Sequence, residues 1–409
     1  MTSQASEVID HDNVSTGEIS KQPVVGHWGG VFAMSLCVFA LVASEFMPVS
    51  LLTPIASDLK ITEGMVGHGI AISGAFAVLT SLSISALAGV IDRKNLLLVL
   101  TVLMGISGAI VAEASTYLIY MTGRALLGVV IGGFWSMSAA TAMRLVPSNQ
   151  VPKALAIFNG GNALATVIAA PLGSYLGAVV GWRGAFFCLV PVAAIALVWQ
   201  WISLPAMNAQ ERKPGSANVF TVLKSRSIAV GMAACGLFFM GQFALFTFLR
   251  PFLESVTHVG VATLSLILLV IGVSGLIGTV LIGYVLKRGL YSTLCIIPLL
   301  MAMIASALIY LGSSVATVIL LLGLWGLMAT AAPVGWWSWV AKVMPHNAEA
   351  GGGLMVAVVQ FSIAVGSTIG GLLFDSNGYR GTFMLSACVL LLAAAFAFLT
   401  SRWQPQQAL

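Results

Sequence analysis

The chain has 409 residues, of which 59% are hydrophobic and only 8% are charged, and its formal net charge is +5. Soluble globular domains carry about 25% charged residues, so this composition excludes that class and indicates an integral membrane protein. The basic residues are spread between apolar segments and form no basic face, which argues against a nucleic-acid partner.

Apolar segments free of Asp, Glu, Lys and Arg predict the spanning helices. Most of them reach the roughly 20 residues that a membrane-spanning helix needs. The turn signal Gly312-Ser313-Ser314 divides the longest segment, 289–341, into two. The predicted all-α chain therefore has twelve spanning helices, at 28–53, 67–91, 95–113, 117–143, 154–180, 184–204, 227–250, 261–286, 290–311, 315–341, 350–374 and 381–402.

Polar segments divide these helices into two halves of six. We expect an N-terminal half at 27–204, a cytoplasmic linker at 205–226 and a C-terminal half at 227–409. Residues 1–26 hold four acidic side chains and one lysine without an apolar core, which predicts a disordered cytoplasmic tail rather than a cleaved signal peptide. With the N-terminus inside, thirteen Lys and Arg residues fall on the cytoplasmic side and four on the other, so both termini are predicted to be cytoplasmic.

The two halves repeat each other. Residues 181–186 read Gly-Trp-Arg-Gly-Ala-Phe, and residues 378–383, 197 positions later, read Gly-Tyr-Arg-Gly-Thr-Phe. The same offset aligns Glu45 with Gln242 and Phe46 with Phe243. One register shared by separate helices indicates duplication, and duplicated transporters bind their cargo between the halves near the membrane midplane. We therefore expect pseudo-symmetric halves in which Glu45 and Gln242 face each other across a central cavity.

Glu45 is the anomaly of the first predicted helix. A carboxylate in the hydrocarbon region costs roughly 2.5–3.5 kcal/mol on insertion scales, so a chain keeps one there chiefly to line a cavity, pair with a cation or carry protons. Burial also favours its protonated form, which suits proton exchange near neutral pH. Pro48 cannot donate to the Ser44 carbonyl, so that acceptor is freed and a kink is expected. A glutamate in the interface or in a structural ion pair is the alternative.

Arg124, in the fourth predicted helix, is a candidate partner for Glu45 because the two residues are expected at similar depths in the membrane. Glu45 lies about 12 Å from the outer end of its helix, and Arg124 lies about 10 Å from the same side. Gly123 and Gly128 flank Arg124 and permit a close helix approach. An arginine that approaches and leaves a protonatable glutamate would help it to exchange a proton, whereas a static ion pair would only fix the packing. The residues alone leave both interpretations open.

Three strings resemble the drug:proton antiporter branch of the major facilitator superfamily, within a match that covers about residues 28–402. The strings lie at 45–56, 123–135 and 170–177. The resemblance implies a multi-pass protein of the bacterial inner membrane that exports a small solute in exchange for protons. It also implies that Glu45 and Arg124 hold the branch's usual proton-linked positions.

Four more strings are similar to purine ribonucleoside exporters of this branch. They lie at 143–147, 151–155, 241–244 and 333–336. This likeness implies an inosine- or guanosine-like cargo. Sugar and multidrug exporters share several of the strings and are the alternatives.

Two motifs of the superfamily are present in altered form. The turn after the second helix keeps Gly89, Asp92 and Arg93 but continues directly into the third helix, so the resemblance implies an abridged latch between helices. The antiporter motif of the fifth helix keeps Pro171 and Gly173, with an alanine before the proline where glycine is common. Pro171 still frees the carbonyl one turn earlier, so a bend is predicted there.

Amide and aromatic side chains supply the predicted cargo contacts, because a purine nucleoside offers a flat base and several donors and acceptors. The predicted set contains Asn159, Asn162, Gln242 and Gln360 as amides and Trp135, Phe243 and Trp337 as aromatics supported by the repeat. Amides also join helices and aromatics also pack or face lipid, so structural roles are the alternative. Arg250, at the outer end of the seventh helix, is predicted either to gate that side or to snorkel to the interface.

The sequence carries no motif for catalysis or for another energy source. Its five histidines and five cysteines show no metal-binding spacing, and no glycine-rich string follows a strand to cradle phosphate. A membrane enzyme would need a convergent set of acid, base or nucleophile, and the chain offers one buried acid and a few arginines. We expect a transporter that works as a monomer, needs no cofactor and draws on the proton gradient. An uncoupled facilitator is the nearer alternative.

Overall fold

The computed structural model describes residues 26–87, 91–147, 150–207, 225–344 and 348–402, and these ranges are helical apart from short connections. The N-terminal half contains α1 Trp28–Leu59, α2 Glu63–Leu87, α3 Arg93–Ala112, α4 Tyr117–Leu145, α5 Val151–Val179, α6 Gly181–Phe187 and α7 Leu189–Ser203. The C-terminal half contains α8 Arg226–Phe246, α9 Leu249–Ser255, α10 Val261–Arg288, α11 Leu290–Leu311, α12 Val315–Val343 and α13 Ala348–Arg402. The predicted tail, apart from Gly26, and residues 208–224 of the predicted linker lie outside the described residues.

These helices make the twelve predicted spans. The pair α6 and α7 forms the sixth span, and the pair α8 and α9 forms the seventh across a short turn at 247–248. Helix α13 has 55 residues, about 80 Å of helix, which is twice what one crossing needs. Gly378 divides it into the eleventh and twelfth spans with a non-helical backbone (φ 64°, ψ −162°). The twelve-helix membrane fold in two halves is confirmed.

The first two helices are longer than predicted at the loop that joins them. α1 runs on to Leu59 instead of residue 53, with Pro54 inside it, and ends at Lys60 in a left-handed conformation. α2 begins at Glu63 instead of residue 67. The predicted end of α1 stopped before Pro54, which the helix accommodates, and the predicted start of α2 left out Glu63, which lies in the first turn where the helix dipole favours an acidic side chain.

The sequence repeat is also a structural repeat. Gly181 and Gly378 both have positive φ, 76° and 64° respectively, in the turns that precede the sixth and twelfth spans. The arginine two residues later stacks on the aromatic ring between them in both halves, at 4.4 Å for Arg183 over Trp182 and 6.0 Å for Arg380 over Tyr379. The two halves therefore make equivalent turns from equivalent residues.

The bundle has two faces, which we name by their loops. The terminal face carries Trp28 and Arg402, the first and last helical residues, and on it the His27 N–H donates to the Leu145 carbonyl at 2.8 Å. The opposite face carries the loops after α1, α3, α5, α9, α11 and the turn at Gly378. On it Arg183, after α5, reaches the ends of α1 and α3 by an ion pair with Asp58 (2.6 Å) and a hydrogen bond to the Ala114 carbonyl (2.7 Å).

The hydrophobic core consists of three clusters. One lies almost wholly within the N-terminal half, and one lies mainly within the C-terminal half but includes Val49, Ile70 and Ala170 of the other. The third packs residues of the N-terminal half against Phe248 and Phe374 of the C-terminal half. Apolar contact between the halves therefore adds to the cohesion of the bundle.

Close packing of α1 against α5 depends on small residues. A Cβ placed on Gly161 would lie 2.2 Å from the Ser35 carbonyl oxygen, and one on Gly173 would lie 2.6 Å from Ser50 Oγ. The neighbouring Gly160 has no heavy atom within 4 Å of such a Cβ. Two adjacent glycines of one helix thus differ in the space around them.

We expect Gly161→Ala to lower the melting temperature of the detergent-purified protein by several degrees, because overpacking costs about 1–3 kcal/mol. Gly160→Ala should leave it unchanged or raise it slightly, since alanine is favoured over glycine by about 1 kcal/mol inside a helix. Thermal unfolding followed by tryptophan fluorescence measures both variants. Equal melting temperatures for the two would contradict the packing of α1 on α5.

Candidate functional site

Glu45 lies near the middle of α1 and joins the two halves. Its side chain is 7% exposed, and its Oε1 accepts a hydrogen bond of 3.2 Å from Nε2 of Gln360 in the eleventh span. Gln360 is itself buried, and its Oε1 has no hydrogen-bond partner among the described residues. A buried acid of one half is therefore held by a single amide hydrogen bond from the other.

Arg124 binds the backbone of α1 instead of the Glu45 carboxylate. Its Nη1 donates to the Ser44 carbonyl at 2.7 Å, its Nη2 to the Glu45 carbonyl at 3.2 Å, and its Nε to the Gly69 carbonyl of α2 at 3.1 Å. The ion pairs formed by the described residues do not include one between Arg124 and Glu45. The sequence placed the two at matching depth, but the static ion pair it allowed is not formed.

Pro48 explains why the arginine takes carbonyls. A proline inside α1 supplies no N–H, so the Ser44 carbonyl loses its intrahelical donor. An unpaired carbonyl in the hydrocarbon region costs several kcal/mol, and Arg124 satisfies it. The guanidinium therefore holds α1, α2 and α4 together at the level of Glu45.

The residues that follow Glu45 and Gln242 in the sequence make an aromatic contact between the halves. Phe46 and Phe243 stack with centroids 5.8 Å apart and planes 24° apart. Their neighbours Glu45 and Gln242 were expected to face each other, but the carboxylate takes its hydrogen bond from Gln360. Gln242 is half-buried, and its Oε1 has no partner among the described residues. Two amide oxygens near the stacked rings thus lack a donor.

The remaining predicted cargo residues make none of the contacts that join this group. Asn159 is exposed and donates to the Leu155 carbonyl of its own helix at 3.0 Å, while Asn162 and Trp135 are half-buried. Trp337 is 45% exposed. Among the described residues, none of the four makes a hydrogen bond or ring contact with the Glu45 pair, so their role in cargo binding stays a prediction.

Arg250 makes a second contact between the halves. Its Nη1 donates to the Ser50 carbonyl of α1, and its Nε pairs with Glu254 Oε1 at 2.8 Å. Pro54 frees the Ser50 carbonyl as Pro48 frees that of Ser44. Arg250 is 5% exposed, so it does not snorkel to the interface.

Asp375 makes a third contact between the halves, which sequence reasoning missed. Its Oδ2 accepts from Thr62 Oγ1 at 2.6 Å and its Oδ1 from the Gly64 N–H at 3.0 Å. A carboxylate of the C-terminal half therefore caps the N-terminus of α2, where the helix dipole favours negative charge. The residue before it stacks on Phe248 at 5.1 Å. The sequence signal that could have indicated this contact is the position of Asp375, an acidic residue directly after the predicted span 350–374.

Contacts between the halves concentrate toward the opposite face. The polar contacts and the ring stack between the halves, formed by the described residues, lie at the depth of Glu45 or beyond it toward that face. Pro171 lies inside α5, and Gly272 of α10 packs against the Val167 carbonyl that the proline frees, which adds another contact between the halves; the bend at Pro171 stays a prediction. The halves are therefore closed together on the opposite face.

The turn after α2 holds the terminal face of the N-terminal half. Asp92 Oδ1 caps α3 by accepting from the Lys94 N–H at 2.7 Å, and its Oδ2 accepts from the Met207 N–H at 2.9 Å. The Arg93 N–H returns a bond to the Met207 carbonyl at 3.1 Å. The turn after α2 is therefore hydrogen-bonded to Met207, in the segment that follows α7. Gly89 lies outside the described residues.

Relatives match along most of the chain. The Major Facilitator Superfamily model matches residues 34–366. The Pseudomonas aeruginosa protein named transcription regulatory protein OpdE is 66% identical over 380 residues, which are 92% of this chain and 94% of that protein. The purine ribonucleoside efflux pump NepI of Salmonella enteritidis is 38% identical over 368 residues, which are 90% of this chain and 92% of that protein.

Solved structures share the fold at low sequence identity. A bacterial homologue of the human lysosomal transporter Spinster superposes with a TM-score of 0.74 at 14% identity, covering 93% of this chain and 99% of that one. A mutant of the nucleoside transporter NupG gives 0.71 at 13% identity, covering 91% and 97%. The family model matches residues 34–366, and the two relatives match nine-tenths of the chain. The protein therefore belongs to the major facilitator superfamily and is a secondary transporter, not an enzyme.

Proposed function

We propose that the protein exports a small polar organic solute from bacteria in exchange for protons, with purine ribonucleosides as the first candidate cargo. The observation that carries the proposal is the contact between Glu45 and Gln360, a buried acid bound across the two halves. Alternating access moves the halves against each other. A protonatable group at their junction can therefore link its proton to that movement.

The proposed orientation puts the terminal face in the cytoplasm and the protein in the inner membrane. Basic residues support it, because the cytoplasmic side of a membrane protein is enriched in Lys and Arg. Those described near the terminal face are Arg93, Lys94, Arg144, Lys153, Arg226, Lys287, Arg288, Lys342 and Arg402. Those near the opposite face are Lys60, Arg183, Arg250 and Arg380. The closed face is then external, and the halves 27–204 and 227–409 are the moving units.

The residues around Glu45 suit a nucleoside. The ring pair of Phe46 and Phe243 offers an aromatic surface to a base, and the oxygens of Gln242 and Gln360 accept from amino groups and hydroxyls. Glutamine amides also pair with purine edges by two hydrogen bonds. The 38% identical NepI is named a purine ribonucleoside efflux pump, which supports the same cargo.

The name of the 66% identical relative, a transcription regulatory protein, is compatible with export. An exporter lowers the cytoplasmic concentration of its cargo, so a gene controlled by that cargo changes its expression without contact between the membrane protein and DNA. Sugar or multidrug antiport and uncoupled facilitation are the alternatives, and the measurements below separate them.

We expect Glu45→Gln to reduce proton-driven nucleoside uptake into proteoliposomes at least about tenfold, while exchange of internal for external nucleoside is retained. The amide keeps the shape of the site but carries no exchangeable acid, so only coupling is lost. Glu113→Gln, at an exposed loop carboxylate, is the matched control and should transport normally. Unchanged driven uptake in Glu45→Gln would remove this residue from coupling.

We expect cells that overproduce the protein to tolerate 6-mercaptopurine riboside, because export lowers the internal concentration of this purine nucleoside analogue. Inosine and guanosine should compete for transport in proteoliposomes, whereas hexoses should not. Competition by sugars or by lipophilic cations, with none by nucleosides, would instead support the sugar or multidrug alternative.

We expect Pro54→Ala to weaken closure of the external face, since alanine restores the N–H donor that competes with Arg250 for the Ser50 carbonyl. A hydrogen bond to a charged group is worth about 1.5–3 kcal/mol, so the open population should rise roughly tenfold. Pro48→Ala is the control, because Arg124 and Ser44 belong to one half. Distances between spin labels at Ser115 and Ser313, exposed in external loops of the two halves, measure the closure. An unchanged distance distribution in Pro54→Ala would contradict the proposed gate.

A further inference from the structure

Gln360 presents an incomplete hydrogen-bonding pattern to Glu45. Its Nε2 donates to one carboxylate oxygen at 3.2 Å, while Oε1 of the same amide is buried and has no partner among the described residues. The backbone of Gln360 packs tightly on α2, because a Cβ on Gly74 would lie 2.6 Å from the Gln360 backbone carbonyl oxygen. The unpaired oxygen therefore belongs to a buried side chain that starts from a backbone packed against the other half.

Protonation of Glu45 supplies the missing donor. An ionised carboxylate only accepts hydrogen bonds, whereas a carboxylic acid has one O–H to donate and still accepts on its other oxygen. A carboxylic acid and a primary amide can thus form a closed pair, with N–H donating to the acid carbonyl and O–H donating to the amide carbonyl. The structure already contains the first of these two bonds.

We infer that Gln360 is a positioning residue that senses the protonation state of Glu45 through this acid–amide pair. The inference rests on the proposed antiport and adds the residue that connects the proton to closure. Protonated Glu45 makes two hydrogen bonds across the halves and satisfies a buried acceptor, and ionised Glu45 makes one and leaves that acceptor unpaired. Protonation therefore stabilises the arrangement in which the external face is closed.

Among the other polar groups on the elements around Glu45, two arginines and a tyrosine are engaged, whereas His68 Nε2 and Gln242 Oε1 are buried and have no hydrogen-bond partner among the described residues. Arg124 of α4 uses its guanidinium on three carbonyls, and Tyr120 of the same helix donates to the Val66 carbonyl at 3.4 Å. Arg250 of α9 binds one turn beyond Glu45 and pairs with Glu254. His68 of α2 precedes the glycine whose carbonyl Arg124 binds. Among these groups, the structure shows Gln360 alone in hydrogen-bond contact with the carboxylate.

The pair also gives an order to the exchange. Release of the proton from Glu45 to cytoplasmic water breaks the bond from the acid O–H to Gln360 Oε1 and leaves that oxygen free, while Nε2 still donates to the carboxylate. A ring N–H, amino group or hydroxyl of a purine nucleoside can then donate to Oε1. Protonated Glu45 and the cargo then compete for one amide, which makes their binding mutually exclusive, as exchange requires.

The test measures closure of the external face as a function of pH in the full-length protein in nanodiscs. Spin labels are placed by Ser115→Cys and Ser313→Cys after replacement of Cys188, Cys295 and Cys388; the two remaining native cysteines, Cys37 and Cys235, are buried. In the parent protein, acidification should raise the closed population roughly three- to tenfold, the worth of about one hydrogen bond.

Three variants decide the matter. Gln360→Met, of similar length but without donor or acceptor, should abolish the pH response, and Phe361→Leu, the adjacent exposed residue, should retain it. The exchanged pair Glu45→Gln with Gln360→Glu restores one acid and one amide across the same contact, so its pH response should return. A parent-like response in Gln360→Met, or no response in the exchanged pair, would overturn the inference.

Failure of the proposed function would have a different signature. The distance measurement contains no cargo and no gradient, so it reports on Gln360 even where driven transport fails. Normal driven transport in the parent, together with a parent-like pH response in Gln360→Met, would contradict the inference about Gln360 and leave the proposed function intact. A pH response that depends on Gln360, without nucleoside transport by the parent, would sink the proposed cargo alone.

Discussion

The bundle depends on how two unpaired carbonyls of α1 are satisfied. Pro48 and Pro54 remove two intrahelical donors, and each vacated carbonyl receives an arginine, Arg124 for Ser44 and Arg250 for Ser50. In a hydrocarbon environment an unpaired carbonyl is costly, so these bonds are obligatory while the site is dry. They differ in one respect. The first lies within a half and survives any movement between halves, whereas the second crosses between them and must break when the opposite face opens.

Residue counts along the helices predicted heights in the membrane but not directions around the helix axes. The matching depths of Glu45 and Arg124 followed from a rise of 1.5 Å per residue, and the structure does bring the guanidinium to the backbone of Glu45. Which atoms meet depends on rotation about each axis, which advances 100° per residue and is fixed only by packing. The sequence also contained the freed Ser44 carbonyl, but nothing in the residue pattern joined it to an arginine more than two helices away.

The internal repeat predicted symmetric features and was silent on asymmetric ones. It aligned Gly181 with Gly378, which both have positive φ, and Phe46 with Phe243, which stack across the halves, although the contact expected from this register was between Glu45 and Gln242. Hydrogen bonds need complementary partners, so contacts between identical positions of a duplicated chain favour stacked rings over donor–acceptor pairs. The polar contacts between the halves accordingly join non-equivalent residues, as Gln360 does with Glu45. Such pairs arise where the two halves have diverged, and a repeat offset cannot identify them.

The three polar contacts between the halves that the described residues form lie at increasing depth from the opposite face. Asp375 meets Thr62 at an exposed site, where water can replace the lost hydrogen bonds as the halves separate. Arg250 and the Ser50 carbonyl are almost fully buried, so their separation leaves an unsatisfied carbonyl until water enters. Glu45 and Gln360 lie deepest, and under the proposed antiport theirs is the contact whose strength depends on the proton. Under that proposal, opening from the opposite face would proceed from a contact that water replaces readily, through one that resists, to one that the proton gradient controls, and the face would stay closed until Glu45 had lost its proton.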